Sequence, residues 1–274
     1  MQSYIRHLLF KPQRPVAIYP SEVRERCREE PARVTSECES IFYKTGIPSI
    51  CCQHPTPKRV AVYAHGNSES LVSCGWFVKE LCRVLQADVY AFEYPGYFTN
   101  EEGTLLADPS EAGCFDSSAA FVGEVAARER EGRGLPVVLV GYSLGCAIAL
   151  HAADVHRTDS FPQATLLMAP FVSAASVVLA PTPWLLNLTS IYSHFDVFAM
   201  RTAALRNGHV LFVAHGTADE VIPCCHGRAI AQLAAKHSPD KVAYLEVPDA
   251  THASLRLHIE VVEQFLNFIK RQRP

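Results

Sequence analysis

Residues Gly141, Tyr142, Ser143, Leu144 and Gly145 spell G-x-S-x-G, and they stand between a strand-like run and a helix-like run. Before them, Leu135-Pro136-Val137-Val138-Leu139-Val140 is apolar and rich in valine. After them, Cys146 to Ala153 is rich in residues that favour helix. A chain that passes from strand to helix over so few residues must turn sharply. The serine is then held out on the corner, its hydroxyl available for attack. The flanking glycines are required because strand and helix pass too close there for larger side chains. The pattern alone is only moderately specific, so the partners of the serine must be found elsewhere in the chain.

The rest of the sequence supplies the sheet that such a corner needs. Val60 to Ala64, Asp88 to Phe92, Pro136 to Val140, Ala164 to Ala169, Val210 to Ala214 and Val242 to Val247 read as strands. Between them lie helical stretches. One runs from the loop at His65 to Ser70 through about Leu85, and another places Phe115, Ala119, Val122 and Val125 on one face. A third follows Ser143 to about His156, a fourth covers about Pro223 to His237, and the last aligns Leu255, Ile259, Val262, Leu266 and Ile269. Ser40 to Thr45 and Pro48 to Gln53 flank Gly46 and suggest a hairpin. Strands that are apolar at nearly every residue, alternating with helices, indicate an α/β fold with a mostly parallel central sheet covered on both faces. Residues 1–35, rich in Pro, Arg and Glu, read as a surface arm on a domain spanning 36–274. Residues 170–195, with Pro170, Pro181, Pro183 and Trp184, break the alternation and read as an inserted cap over the site.

Composition narrows the function. The chain has 274 residues, enough for one large domain with a well-buried core, and its net charge of −3 gives no reason to expect nucleic acid as a partner. Apolar stretches are interrupted well before the roughly 20 residues of a membrane span. Residues 1–10 carry Arg6 and His7 and no apolar core, so they do not read as a secretory signal, and with Gln2 at the second position no myristoylation is expected. The ten cysteines show no C-x-x-C and no zinc-finger spacing, so they read as reduced core thiols, with reversible acylation of an exposed one as the alternative. The expected compartment is the cytoplasm. Arg6, Lys11 and Arg14 beside Leu8, Leu9 and Phe10 either belong to an arm packed on the domain or make peripheral membrane contact.

A serine hydroxyl is a weak nucleophile and needs a base, usually His, oriented by an acid. On this type of sheet the acid and then the histidine follow the serine in the chain. Past the next-to-last strand comes His215-Gly216-Thr217-Ala218-Asp219, which makes Asp219 the acid, ahead of Glu220 and Asp249. The loop after the last strand holds a single histidine, His252, the expected base. The oxyanion that forms on an attacked carbonyl needs backbone N–H donors. Leu144, just after the nucleophile, and Asn67, in the loop after the early strand, are the expected pair. His65 and His215, each followed by glycine, read as structural hydrogen-bonding residues, and no histidines group as metal ligands.

Taken together these residues resemble the α/β-hydrolases, and more narrowly their domain-17-type branch, which includes protein depalmitoylases. The matching pieces are His65-Gly66-Asn67, Glu93-Tyr94-Pro95-Gly96-Tyr97, and Pro109-Ser110-Glu111 with Asp116 and Ala119-Ala120 downstream. Gly141 to Gly145, His215 to Pro223 and His252 complete them, over about residues 58–270. The resemblance implies Ser143 as nucleophile, Asp219 as acid, His252 as base and Asn67 with Leu144 as oxyanion donors. It also implies ester or thioester hydrolysis through an acyl-enzyme without metal or organic cofactor. The chain departs from the branch in two places. Residues 1–26 lack the cysteine cluster that is acylated there, which puts that membrane anchor in doubt. The loop after Tyr97 is longer and carries Phe98, which either narrows an acyl pocket or packs in the core.

The expected function is therefore a serine hydrolase acting on an acyl ester or thioester, of a small molecule or an acylated protein. Two alternatives remain open on the same residues: a catalytically inactive scaffold on this fold, or acyl transfer or peptide cleavage by the same triad. The apolar stretch Val177 to Leu188 either lines an acyl pocket or is core.

Overall fold

The computed structural model describes residues 16–17, 38–42, 47–99, 108–158, 161–179 and 209–272. The chain divides into two compact units, Met1–Val138 and Leu139–Pro274. The surface arm expected over 1–35 lies outside the described residues except for Val16–Ala17, as does the cap expected over 170–195 beyond residue 179.

In the first unit the described elements begin with the short strand β1 (Val16–Ala17), then β2 (Cys38–Phe42), β3 (Pro48–Cys52) and β4 (Arg59–Ala64). Helix α1 (Leu71–Leu85) is followed by β5 (Ala87–Phe92), the two-residue β6 (Phe98–Thr99) and α2 (Glu111–Glu131). Strands β4 and β5 are parallel; β3 runs antiparallel to β5 on one side and to β2 on the other, with Ser40 opposite Ile50. The hairpin expected around Gly46 is thus present as β2 and β3. Strand β6 pairs with β1 in parallel, Phe98 opposite Val16, so Phe98 lies in a strand and is half-buried.

Helix α1 starts where the sequence can cap it. Ser70 N–H donates to Ser73 Oγ, and Ser73 N–H donates back to Ser70 Oγ, a reciprocal box that satisfies two end donors. Leu71, Cys74, Phe77, Val78, Leu81 and Leu85 recur at helical spacing and are all fully buried. Burying each Leu or Phe contributes about 2 kcal/mol. Helix α2 is turned from the expected face: Cys114, Ser118, Phe121, Val122, Val125 and Ala126 are buried, whereas Phe115 and Ala119 are only half-buried.

Strand β7 (Val137–Tyr142) begins in the first unit and ends in the second. The second unit continues with α3 (Leu144–Val155), β8 (Ala164–Met168), α4 (Ala174–Leu179) and β9 (Leu211–Gly216). It closes with α5 (Cys225–Ala235), β10 (Val242–Val247) and α6 (Glu260–Arg271). The strand order β7-β8-β9-β10 is parallel at both determined registers, Leu166 opposite Phe212 and Tyr244 opposite Val213. Strand β9 runs through His215 and Gly216, where the sequence suggested a loop. The closing helix buries Val261, Val262, Phe265, Phe268 and Ile269; Leu266 is half-buried, and Leu255 lies in a separate 3-10 turn, Ser254–Leu257.

Of the described cysteines, Cys51, Cys52, Cys74, Cys82, Cys114 and Cys146 are buried, Cys224 and Cys225 are half-buried, and none of these eight is in a disulfide. Among the described residues no helix is long and apolar enough to cross a membrane.

Candidate active site

All of β7 is buried, so its C-terminal end delivers Ser143 from a fixed floor. Ser143 has φ 52° and ψ −118°, a left-handed conformation that costs a non-glycine residue about 1–3 kcal/mol. The strand-to-helix turn imposes it. Ser143 N–H donates to Met168 O at 2.9 Å and Ser143 O accepts from Cys146 N–H at 3.0 Å, which lock the corner. A Cβ on Gly141 would lie 2.5 Å from Gly145 O and 2.6 Å from the Cys146 Cα, so the first glycine of the motif is a steric requirement.

The acid and the imidazole arrive on two neighbouring loops. Gly216, the last residue of β9, packs so tightly on Ala250 that a Cβ there would collide with the Ala250 backbone. Thr217 N–H donates to Val247 O and Ala218 N–H to Ala250 O, at 3.0 and 3.1 Å. These contacts bind the loop after β9 to the loop after β10. Asp219 Oδ1 accepts from the N–H of Val221 at 3.0 Å and of Ile222 at 2.7 Å, so the residue does shape its own turn. Its other oxygen, Oδ2, lies 2.8 Å from His252 Nδ1, and His252 Nε2 lies 3.1 Å from Ser143 Oγ. The rival carboxylates Glu220 and Asp249 are exposed.

Burial pushes the Asp219 carboxyl up, but hydrogen bonds from His215 and His252 and from the Ile222 N–H outweigh it and hold the group well below the usual carboxylate range. Asp219 is therefore an acceptor only, which assigns the proton on His252 to Nδ1. In the neutral ring Nε2 is left to accept, and the Ser143 hydroxyl donates to it. The carboxylate is fully buried while the imidazole keeps 14% of its side-chain surface. The arrangement can take a proton from an alcohol that attacks something entering from solvent.

A second imidazole touches the same carboxylate. His215 Nε2 donates to Ile222 O at 2.8 Å and lies 3.3 Å from Asp219 Oδ2, in a ring with no exposed surface. Next to it, burial first and the neighbouring His215 second lower His226 to a pKa of about 4. Tyr142 was only the variable position of the motif in sequence, yet its hydroxyl donates to His252 O at 2.9 Å. Neither contact has a sequence signal, because each joins residues whose separation no motif specifies.

The two residues expected to stabilise an oxyanion belong to different units. Leu144 is the first residue of α3, where N–H groups have no partner inside the helix. Asn67 follows β4, and its side-chain Oδ1 accepts from the Tyr97 hydroxyl at 2.6 Å. Behind Asn67, His65 is fully buried, with Nδ1 donating to Gly66 O at 2.9 Å and Nε2 at 2.8 Å from Glu93 Oε1. Among the described residues no three His, Cys, Asp or Glu side chains group as a metal site.

Sheet, corner and facing imidazole define an α/β-hydrolase. The model of the alpha/beta hydrolase family matches residues 61–214, more than half of the chain, and the chain belongs to that family, which places it in the hydrolase class. The domain-17 resemblance recurs in relatives. Alpha/beta hydrolase domain-containing protein 17B of Xenopus laevis is 26% identical over 224 residues, which cover 81% of this chain and 69% of that protein. Protein 17C of Mus musculus is 26% identical over 222 residues, which cover 80% of this chain and 62% of that protein. The chain thus spans about three fifths to two thirds of the length of these relatives. Among solved structures, the carboxylesterase EstE1 from a metagenomic library aligns with a TM-score of 0.62 at 16% identity, over 93% of this chain and 97% of that one. A soluble variant of monoglyceride lipase from Saccharomyces cerevisiae aligns with a TM-score of 0.63 at 15% identity, over 89% and 97%. These likenesses show the shared fold.

Proposed function

We propose that the chain is a serine hydrolase that cleaves an acyl ester or thioester through an acyl-enzyme on Ser143. The observation that carries this reading is the unbroken hydrogen-bonded line from Ser143 Oγ through His252 to Asp219, at 3.1 and 2.8 Å. As Oγ attacks the acyl carbonyl carbon, its proton passes to His252 Nε2, and Asp219 stabilises the imidazolium and holds its orientation. The carbonyl oxygen takes the negative charge, for which the backbone N–H of Leu144, at the start of α3, is a proposed donor. When the tetrahedral species collapses, the bond to the leaving oxygen or sulfur breaks and His252 returns the proton to that atom. Water then attacks the acyl-enzyme with His252 as base, which releases the acid and restores Ser143. None of these steps calls on a cofactor.

Within that class, a depalmitoylase-like thioesterase acting on an acylated protein is the reading the domain-17 resemblance favours. It is supported by similarity at 26% identity. The cytoplasm, with peripheral membrane contact at the substrate, is the proposed location. A fluorophosphonate probe should label the wild type and leave Ser143→Ala unlabelled. A panel of p-nitrophenyl esters and acyl-thioesters of increasing chain length should then show turnover that Ser143→Ala lacks. Equal labelling of both proteins would end the serine-hydrolase reading. Short-chain ester turnover without thioester turnover would end the depalmitoylase-like one. An unlabelled wild type that still binds a partner would point to the scaffold alternative.

A further inference from the structure

We infer that Tyr142 and Arg256 form a clamp that positions the backbone of His252, so that Tyr142 is a positioning residue for the proton transfer as well as a spacer in the nucleophile motif. The inference rests on the proposed hydrolase reading for its catalytic consequence, and on contacts within one unit for its structural part.

A single hydrogen bond to Nδ1 fixes one atom of an imidazole and leaves the ring and its loop able to swing about that point. The structure adds three further holds. The Tyr142 hydroxyl donates to the His252 carbonyl at 2.9 Å, across 110 positions of sequence. The Tyr142 and His252 rings face each other with centroids 5.3 Å apart and an interplanar angle of 34°. The Arg256 guanidinium carbon stands 4.4 Å from the centroid of the same tyrosine ring. Arg256 comes from the 3-10 turn that directly follows the histidine loop. That turn is itself stiffened by Thr251 N–H donating to Ser254 Oγ and Ser254 N–H donating to Thr251 Oγ1. The loop and the turn after it therefore engage one side chain three times, by the His252 carbonyl, the His252 ring and the Arg256 cation, with the cation drawn to the ring's negative face.

What makes the tyrosine suitable is where its backbone sits. It is the last residue of β7, only 4% exposed, and its neighbour is the serine held at the strained corner. Its hydroxyl thus refers the histidine loop to the same rigid point that fixes Oγ. The 3.1 Å separation between Oγ and Nε2 becomes a property of one short chain of contacts, and it no longer depends on two loops being independently well placed. Misplacement of reacting groups by a fraction of a bond length is costly, which is why such a hold matters for kcat.

The test compares wild type with Tyr142→Phe, Arg256→Met and Arg256→Lys, using p-nitrophenyl ester kinetics, thermal unfolding and hydrogen exchange of the backbone over 249–256. Tyr142→Phe keeps the ring and the cation contact and removes only the hydroxyl. Its kcat should fall about tenfold, the factor carried by one hydrogen bond of ordinary strength. KM should stay within about twofold, and the unfolding midpoint within about 2 °C. Exchange over 249–256 should quicken while the amides of the sheet are unaffected. Arg256→Met should show a smaller change of the same kind, and Arg256→Lys should restore most of it. Wild-type kcat and wild-type exchange in Tyr142→Phe would overturn the inference. So would a rise in KM with kcat unchanged, which would make the residue a binding contact. If the wild type hydrolyses nothing and takes no fluorophosphonate, the hydrolase reading fails, and the exchange arm still decides whether the clamp exists.

Discussion

Each unit contains a histidine–carboxylate pair at 2.8 Å, and the two imidazoles meet different partners on their second nitrogen. In the first unit, His65 and Glu93 are both fully buried. Every hydrogen-bonding atom of that imidazole faces a fixed acceptor: Nδ1 the Gly66 carbonyl, Nε2 the Glu93 carboxylate. The ring is stacked on Tyr94, whose hydroxyl donates to His65 O. Glu93 also accepts from the N–H groups of Leu71 and Tyr94, so the pair ties the loop after β4 to the start of α1. In the second unit, His252 has one nitrogen on Asp219 and the other on a hydroxyl, and it keeps a path to solvent. A hydroxyl can give its proton away and a carbonyl cannot. A histidine beside a carboxylate is thus not by itself a proton-transfer device; the partner on the ring's second nitrogen sets whether there is a proton to take.

Substituting one residue in each pair should separate the two roles. His252→Ala should lower kcat/KM for an ester substrate by about 10⁴-fold, while the unfolding midpoint stays near that of wild type. Steady-state kinetics beside a thermal melt reads both, and a variant with more than a tenth of wild-type activity would break the contrast. Glu93→Ala should do the reverse. It leaves a buried imidazole and two backbone donors without their acceptor and should cost about 3 kcal/mol of folding stability in urea titration. A loss below about 1 kcal/mol would mean that the loop holds itself without the pair.

The strands β4, β7, β8 and β9 were legible because their residues are apolar nearly throughout, as burial on both faces demands, whereas edge strand β10 is half-buried over most of its length. The end of β9 was not legible because His215-Gly216 reads as a turn, whereas Gly216 is there to let the Ala250 backbone approach. In α2 the expected Val122 and Val125 are buried, but the first turns bury Cys114 and Ser118 in place of Phe115 and Ala119, because their modest hydrophobicity hardly registers in a periodic pattern. In α6 the expected Val262 and Ile269 are buried, but Phe265 and Phe268 share that face, which an aliphatic stripe alone leaves out. That Ser143, His252 and Asp219 come into hydrogen-bonding contact was legible because the order of strands dictates where the loops that carry them fall. The contact of Tyr142 runs from a strand end to a loop distant in sequence, and that of His215 from a strand end into the loop that follows it; no spacing rule encodes either.

The pH dependence of stability should part the two pairs most finely. Burial favours neutral His65, but the facing Glu93 carboxylate outweighs it and raises the ring above its ordinary value of 6.5. A group whose pKa is raised by folding stabilises fully below its unfolded value, and that stabilisation is lost as pH rises through the folded value. Asp219 has the opposite sign. Its carboxyl is held below the ordinary value by His215 and His252 despite burial, so its contribution is present above about pH 4 and is lost as pH falls toward the folded value. Wild-type unfolding free energy should therefore decline on both flanks, by at most about 1.4 kcal/mol per pH unit for each proton involved. Glu93→Ala should flatten the alkaline flank and, because burial then favours neutral His65, steepen the acidic one, whereas Asp219→Asn should flatten the acidic flank. Urea unfolding from pH 3 to 9 on the three proteins reads this directly. An alkaline flank that persists unchanged in Glu93→Ala would show that His65 is not the group whose charge Glu93 sustains.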